Sequence, residues 1–123
     1  MNLLNSIIFE GTLTSDTTLI TTPNGASVCN FILAATRYYN KTNDKRGEEI
    51  TYIKCETWGK VAESCNDYLI KGRGVRVVGR IKQYRWDDED RGHQSCIIIV
   101  AEHVEFKPMH KKVIPEVEDA KNC

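Results

Sequence analysis

The run Glu56–Trp86, ETWGKVAESCNDYLIKGRGVRVVGRIKQYRW, contains one change of periodicity, and that change sets the fold. From Lys60 to about Lys71 the residues Val61, Ala62, Cys65, Tyr68 and Leu69 fall at helical spacing. This predicts an amphipathic helix with all five on its core side. Gly72 supplies the stop, because a left-handed residue after a helix favours glycine. From Val75 to Trp86 the period becomes two, which predicts a strand. Val75, Val77, Gly79 and Ile81 share one face, and Arg76, Val78, Arg80, Lys82, Tyr84 and Trp86 share the other.

The pattern extends in both directions. Upstream, strands are predicted over Ser6–Leu13, Val28–Tyr39 and Glu49–Trp58. A Thr-rich stretch, Ser15–Asn24, closes on the turn signal Pro23-Asn24-Gly25. Asn40–Gly47, NKTNDKRG, reads as a polar loop. Downstream, Asp87–Gly92, DDEDRG, reads as an acidic loop, and Ser95–Phe106 as the fifth strand. Five strands with one helix between the third and fourth predict an all-β chain, a five-stranded Greek-key barrel of the OB-fold type. An immunoglobulin-like sandwich would want about seven strands. Residues 1–107 form the predicted domain. Residues 108–123, with two prolines, three lysines and three acids, read as a short, poorly ordered tail.

Composition excludes several classes. The 123 residues are 41% apolar and 28% charged, enough for one modest core. No apolar run approaches the ~18 residues of a membrane span, so no membrane association is expected. MNLLNSIIFEGTL lacks a cationic start and a small-residue cleavage site, so no signal peptide is read. The five cysteines (Cys29, Cys55, Cys65, Cys96 and Cys123) show no CxxC spacing. They are expected to serve as small apolar residues in a reducing cytoplasm, with no metal site. His93, His103 and His110 stand beside no nucleophile motif. Asp87–Asp90 lacks the Gly and the terminal Glu of a calcium loop. GRGVRVVG is not a nucleotide-phosphate loop. Neither enzymatic activity nor a cofactor is expected.

The informative feature lies on the outward faces. On the third strand Ile53, Cys55 and Thr57 point one way; Tyr52, Lys54, Glu56 and Trp58 point the other. Together with Lys82, Tyr84 and Trp86 this interleaves cations with large rings. Net charge is zero, from 17 Lys/Arg and 17 Asp/Glu. Between Arg37 and Trp86, however, twelve Lys/Arg stand against six acids, a local excess of six. Rings offer stacking surfaces to unpaired bases, and cations neutralise phosphates, so the pattern points to a single-stranded nucleic acid.

NSIIFEGTL, PNGASVCNFILAATR, ETWGKVAESCNDYLIKG, VRVVGRIKQYRW and IIIVAEHVEF, in this order from about Asn5 to Phe106, resemble the bacterial-type single-stranded DNA-binding proteins. The resemblance implies sequence-independent binding and protection of single-stranded DNA in replication, recombination and repair. By position it implies stacking on Tyr39, Tyr52, Trp58 and Trp86, and phosphate contacts from Lys60, Arg73, Lys82 and Arg85. Face geometry adds Lys54, Arg80 and Tyr84, and the basic loop with its flank adds Arg37, Lys41, Lys45 and Arg46. Tyr39 and Tyr52 stand where the family often has Trp, and Ile53 where it often has His. Members usually continue into a long linker and an acidic, apolar tip that recruits replication and repair proteins. EVEDAKNC does not match that tip, so recruitment through it is not expected. The family implies a homotetramer, and strands one and five agree in being apolar on both faces, the fifth with Cys96, Ile98 and Val100 on one and Ile97, Ile99 and Ala101 on the other. The alternatives are an OB-fold protein-interaction module, such as an accessory subunit of a replication or recombination complex, and an RNA binder.

Overall fold

In the computed structural model, residues 2–42 and 45–108 are described. The elements are β1 (Ile7–Leu13), β2 (Thr18–Thr21), β3 (Ser27–Asn40), β4 (Arg46–Trp58), α1 (Gly59–Tyr68), β5 (Gly74–Asp88) and β6 (Gly92–Phe106). The strand order is β1-β5-β6-β4-β3-β2, and β1 also pairs with β3. Five strands therefore close into a barrel, with β2 as a short flap on β3. This is the predicted five-stranded barrel with its single helix between the third and fourth long strands. All ladders are antiparallel except β4–β6, where Cys55↔Ile99 and Glu56↔Val100 run parallel and complete the ring.

Alternation drives the closure. Leu13, Phe31, Leu33, Cys55, Val77 and Ile99 fill the interior, one or two from each barrel strand. α1 contributes Ala62 and Cys65, and Leu69 follows it into the core. Gly79 marks an irregularity in the ladder. The β5–β6 register slips between Val78 and Gly79, and a Cβ on Gly79 would collide with the Val100 carbonyl.

Five expectations change. The polar loop Asn40–Gly47 narrows, because β3 and β4 stay paired out to Tyr39↔Gly47 and Asn40↔Arg46. The helix ends at Tyr68, not near Lys71, because Leu69 leaves the helical track (ψ 132) to reach the core. Tyr68 is consequently exposed; its ring lies at the rim, 6.2 Å from that of Phe106, not in the core with Ala62 and Cys65. The acidic loop shrinks to a tip, since the β5–β6 ladder runs on to Asp88↔Gly92. Asp88 makes this tight tip by accepting the backbone N–H groups of Asp90 (2.9 Å) and Arg91 (3.4 Å). Finally, Ile98 and Val100 on the outward face of β6 are already buried within the protomer, as Ile99 and Ala101 are on the inward face. Only Ile97 of this run stays exposed. The expected poorly ordered tail falls almost wholly on residues 109–123, outside the described residues.

Candidate nucleic-acid interface

Partners across a ladder point to the same side of a sheet, so the register maps one surface. On β3–β4 the pairs Val28↔Trp58, Asn30↔Glu56, Ile32↔Lys54 and Ala34↔Tyr52 face outward. Glu56↔Val100 carries that surface onto β6. From there Val100↔Arg80, Ile98↔Lys82, Cys96↔Tyr84 and Gln94↔Trp86 carry it onto β5. Tyr52, Lys54, Trp58, Arg80, Lys82, Tyr84 and Trp86 thus share one continuous surface across three strands.

Trp58 and Trp86 are 44% and 41% exposed, so much of each ring is open to a ligand. Between them lies Glu56, only 7% exposed. Its Oε1 accepts the Trp58 indole N–H at 2.7 Å, and the Tyr84 hydroxyl donates to the same carboxylate at 3.0 Å. The Lys82 ammonium sits 4.5 Å from the centre of the Tyr84 ring, within cation–π range. Arg80 is held by Glu102 at 2.7 Å. An open cleft of about 500 Å³ borders the surface at Lys54, Asn30 and Ile32, and one of about 370 Å³ borders it at Trp86 and Gln94.

Of the remaining sequence-predicted residues Arg46 keeps to the Tyr52 side of the β3–β4 ribbon, and the others fall elsewhere. Tyr39 pairs with Gly47 and Arg37 with Glu49, on the reverse of the β3–β4 ribbon. The reason is parity: Tyr39 stands an odd number of residues from Ala34, the partner of Tyr52. There the Arg37 guanidinium lies 5.8 Å from the Tyr39 ring centre and 4.0 Å from Glu49. Tyr38 occupies the Tyr52 side instead, with Arg46 stacked 4.4 Å from its ring centre. Arg85 pairs with Ser95, also on the reverse side, and donates to Gln83 at 2.9 Å. Lys41 and Lys45 meet at the mouth of the β3–β4 loop, where the Lys41 N–H donates to the Lys45 carbonyl at 2.7 Å. Lys60 lies in the first turn of α1, and Arg73 in the connection after it, 6.0 Å from the Phe106 ring centre. Alternation already placed Glu56 on the outward face. Its link to two rings was not legible there, because Tyr84 is 28 residues away.

Three buried thiols are poorly suited to chemistry. Burial pushes Cys29 and Cys55 up from the ordinary thiol range and Cys65 up to about 12. A thiol so raised is a weak nucleophile near neutrality. Among the described residues no group of three or more His, Cys, Asp or Glu could hold a metal ion, and no helix is long and apolar enough to cross a membrane.

Comparison with known proteins gives a consistent result. The model of the Single-strand binding protein family matches residues 4–107. The Single-stranded DNA-binding protein 2 of Chlorobaculum tepidum is 33% identical over 110 residues, covering 89% of this chain and 74% of that protein. The protein of the same name from Listeria innocua is 36% identical over 104 residues, covering 85% of this chain and 64% of its own length. Among solved structures, the Plasmodium falciparum SSB complex with ssDNA superposes with a TM-score of 0.80 at 18% identity, covering 88% of this chain and 98% of that one. A deletion mutant of the single-stranded DNA binding protein from Thermus aquaticus superposes at 0.75 with 27% identity, covering 85% and 51%. With a barrel closed as an OB-fold, rings and cations on its outer surface and a family match over most of its length, the chain belongs to the single-strand binding protein family.

Proposed function

We propose that this chain binds single-stranded DNA without reading its sequence and protects it during replication, recombination and repair in the cytoplasm. The observation that carries this reading is the pair of open indoles, Trp58 and Trp86, on one surface with Lys54 and Lys82. Stacking tolerates any sequence because every base has a π-face. In single-strand binders of this kind it contributes ~1–3 kcal/mol per base. Duplex should bind more weakly, since its bases are already stacked. The role is binding, with no bond made or broken.

A salt titration tests it. If ~4 phosphates are neutralised per subunit, log K for oligo-dT should fall with log salt at a slope of about −3, from ~0.7 per phosphate. A slope near zero, or no binding at low salt, overturns the reading and favours a protein partner for the same surface.

The assembly that fits this reading is a homotetramer. Its support comes from β1, because the second apolar face of β6 is largely covered within the protomer. Ile8, on the outward side of β1, is 69% exposed, and Leu3 and Leu4 precede it in the open. Apolar exposure of this kind favours contact with a second copy. Sedimentation equilibrium should return about four times the 14.0 kDa of one chain. A single-chain mass at micromolar concentration refutes the assembly.

A further inference from the structure

A nearly buried carboxylate in the middle of a surface that takes phosphates is the wrong charge in the wrong place. Glu56 repels the ligand's backbone and loses hydration by being covered. Something must offset both costs, and the geometry shows what is available. Its carboxylate accepts the Trp58 indole N–H at 2.7 Å and the Tyr84 hydroxyl at 3.0 Å. Trp58 lies on the same strand two residues on; Tyr84 comes from β5, across β6. A single acceptor therefore links an open ring on one side of the surface to a half-buried ring on the other. Hydrogen bonds to an ionised acceptor are shorter and about twice as strong as neutral ones.

We propose that Glu56 is a positioning residue for single-strand binding, a carboxylate that fixes the planes of Trp58 and Tyr84 before the DNA arrives. The inference rests on the proposed single-strand-binding reading. Its benefit is pre-organisation: a ring already held in its stacking orientation loses less freedom when a base lands on it. Trp58 cannot rotate about its Cβ–Cγ bond without giving up the indole bond. Tyr84, held at its hydroxyl with Lys82 over its face, is fixed at both its polar tip and its ring.

The sign of one substitution separates this role from plain electrostatics. If Glu56 were only a negative charge on the surface, Glu56→Ala would remove a repulsion and tighten oligo-dT binding. If it positions the rings, Glu56→Ala weakens binding despite losing that repulsion. The expected loss is roughly tenfold, within the range for one stacked base. Binding is read by anisotropy of a labelled oligo-dT at low salt, and folding by thermal melting. Glu56→Gln keeps a neutral carbonyl oxygen as acceptor, with weaker hydrogen bonds than the carboxylate, and should fall between wild type and Glu56→Ala. Tyr84→Phe, which keeps the ring and deletes only the donor, should also weaken binding and covers the case in which Glu56→Ala fails to fold. A spectroscopic readout completes the test. The chain has two tryptophans, so in a Trp86→Phe background the fluorescence anisotropy of Trp58 should drop when Glu56 becomes Ala. Wild-type chain that ignores oligo-dT defeats the proposed function itself. Wild-type binding with folded Glu56 and Tyr84 variants that bind equally or more tightly, and an unchanged Trp58 anisotropy, defeats this inference alone.

Discussion

Replacing Trp58 and Trp86 together by alanine should reduce affinity for oligo-dT by at least about 30-fold. Each ring is taken to stack one base at ~1–3 kcal/mol, so the pair contributes ~2–6 kcal/mol. Every ~1.4 kcal/mol is tenfold in affinity. The variant has no tryptophan left, so binding is followed by anisotropy of a labelled oligonucleotide. Stability should fall only modestly, because both residues are already more than two fifths exposed and Glu56, though it loses the Trp58 indole donor, keeps the Tyr84 hydroxyl. Position adds a comparison. Tyr39 lies on the reverse of the β3–β4 ribbon with Arg37 and Gly47, so Tyr39→Ala should cost less than either tryptophan substitution. A double variant within threefold of wild type would remove stacking from the mechanism.

The largest effect on stability is expected at Gly79. A methyl group there would run into the backbone carbonyl of Val100 on the paired strand. Backbone cannot swing aside as a flexible side chain can, so β5 and β6 must separate at the register shift. Overpacking of this kind costs about 3 kcal/mol or more. For a domain of this size that lowers the melting temperature by about 10 °C or more. Gly25→Ala is the matched control. Gly25 has φ 84 in an exposed turn, and nothing lies within 4 Å of a Cβ built there. Its cost is conformational alone, about 1–2 kcal/mol. Circular dichroism melts of the two variants should therefore separate clearly. Equal shifts would mean that space at Gly79 is not limiting.

Elements were more legible than their ends. Period two in β1, β3, β4, β5 and β6 and the helical spacing after Lys60 report which side of each segment is apolar, a local property of the chain. The helix end was not local. Leu69 turns inward because the core accepts it, and that carries Tyr68 to the surface. The DDEDRG tip was misread for a similar reason: a run of like charges looks like solvated loop until a partner strand is there to continue the ladder. The doubly apolar pattern of β6 points to another subunit, yet Ile98 and Val100 are already buried within the protomer.

The candidate interface divides in the same way. Alternation along single strands put Tyr52, Lys54 and Trp58 together, and Lys82, Tyr84 and Trp86 together, because neighbouring side chains two apart must share a face. Joining the two sets into one surface required the parallel Glu56↔Val100 pairing and the register of β6 on β5. Parity alone separates Tyr38 from Tyr39, but only the β3–β4 register shows which of them faces the way Tyr52 does. Residue types and spacing were enough to specify a small β-barrel with rings and cations turned outward. Which rings meet, and that a buried carboxylate ties two of them, followed from closure of the barrel, since contacts between distant segments exist only after the strands have paired.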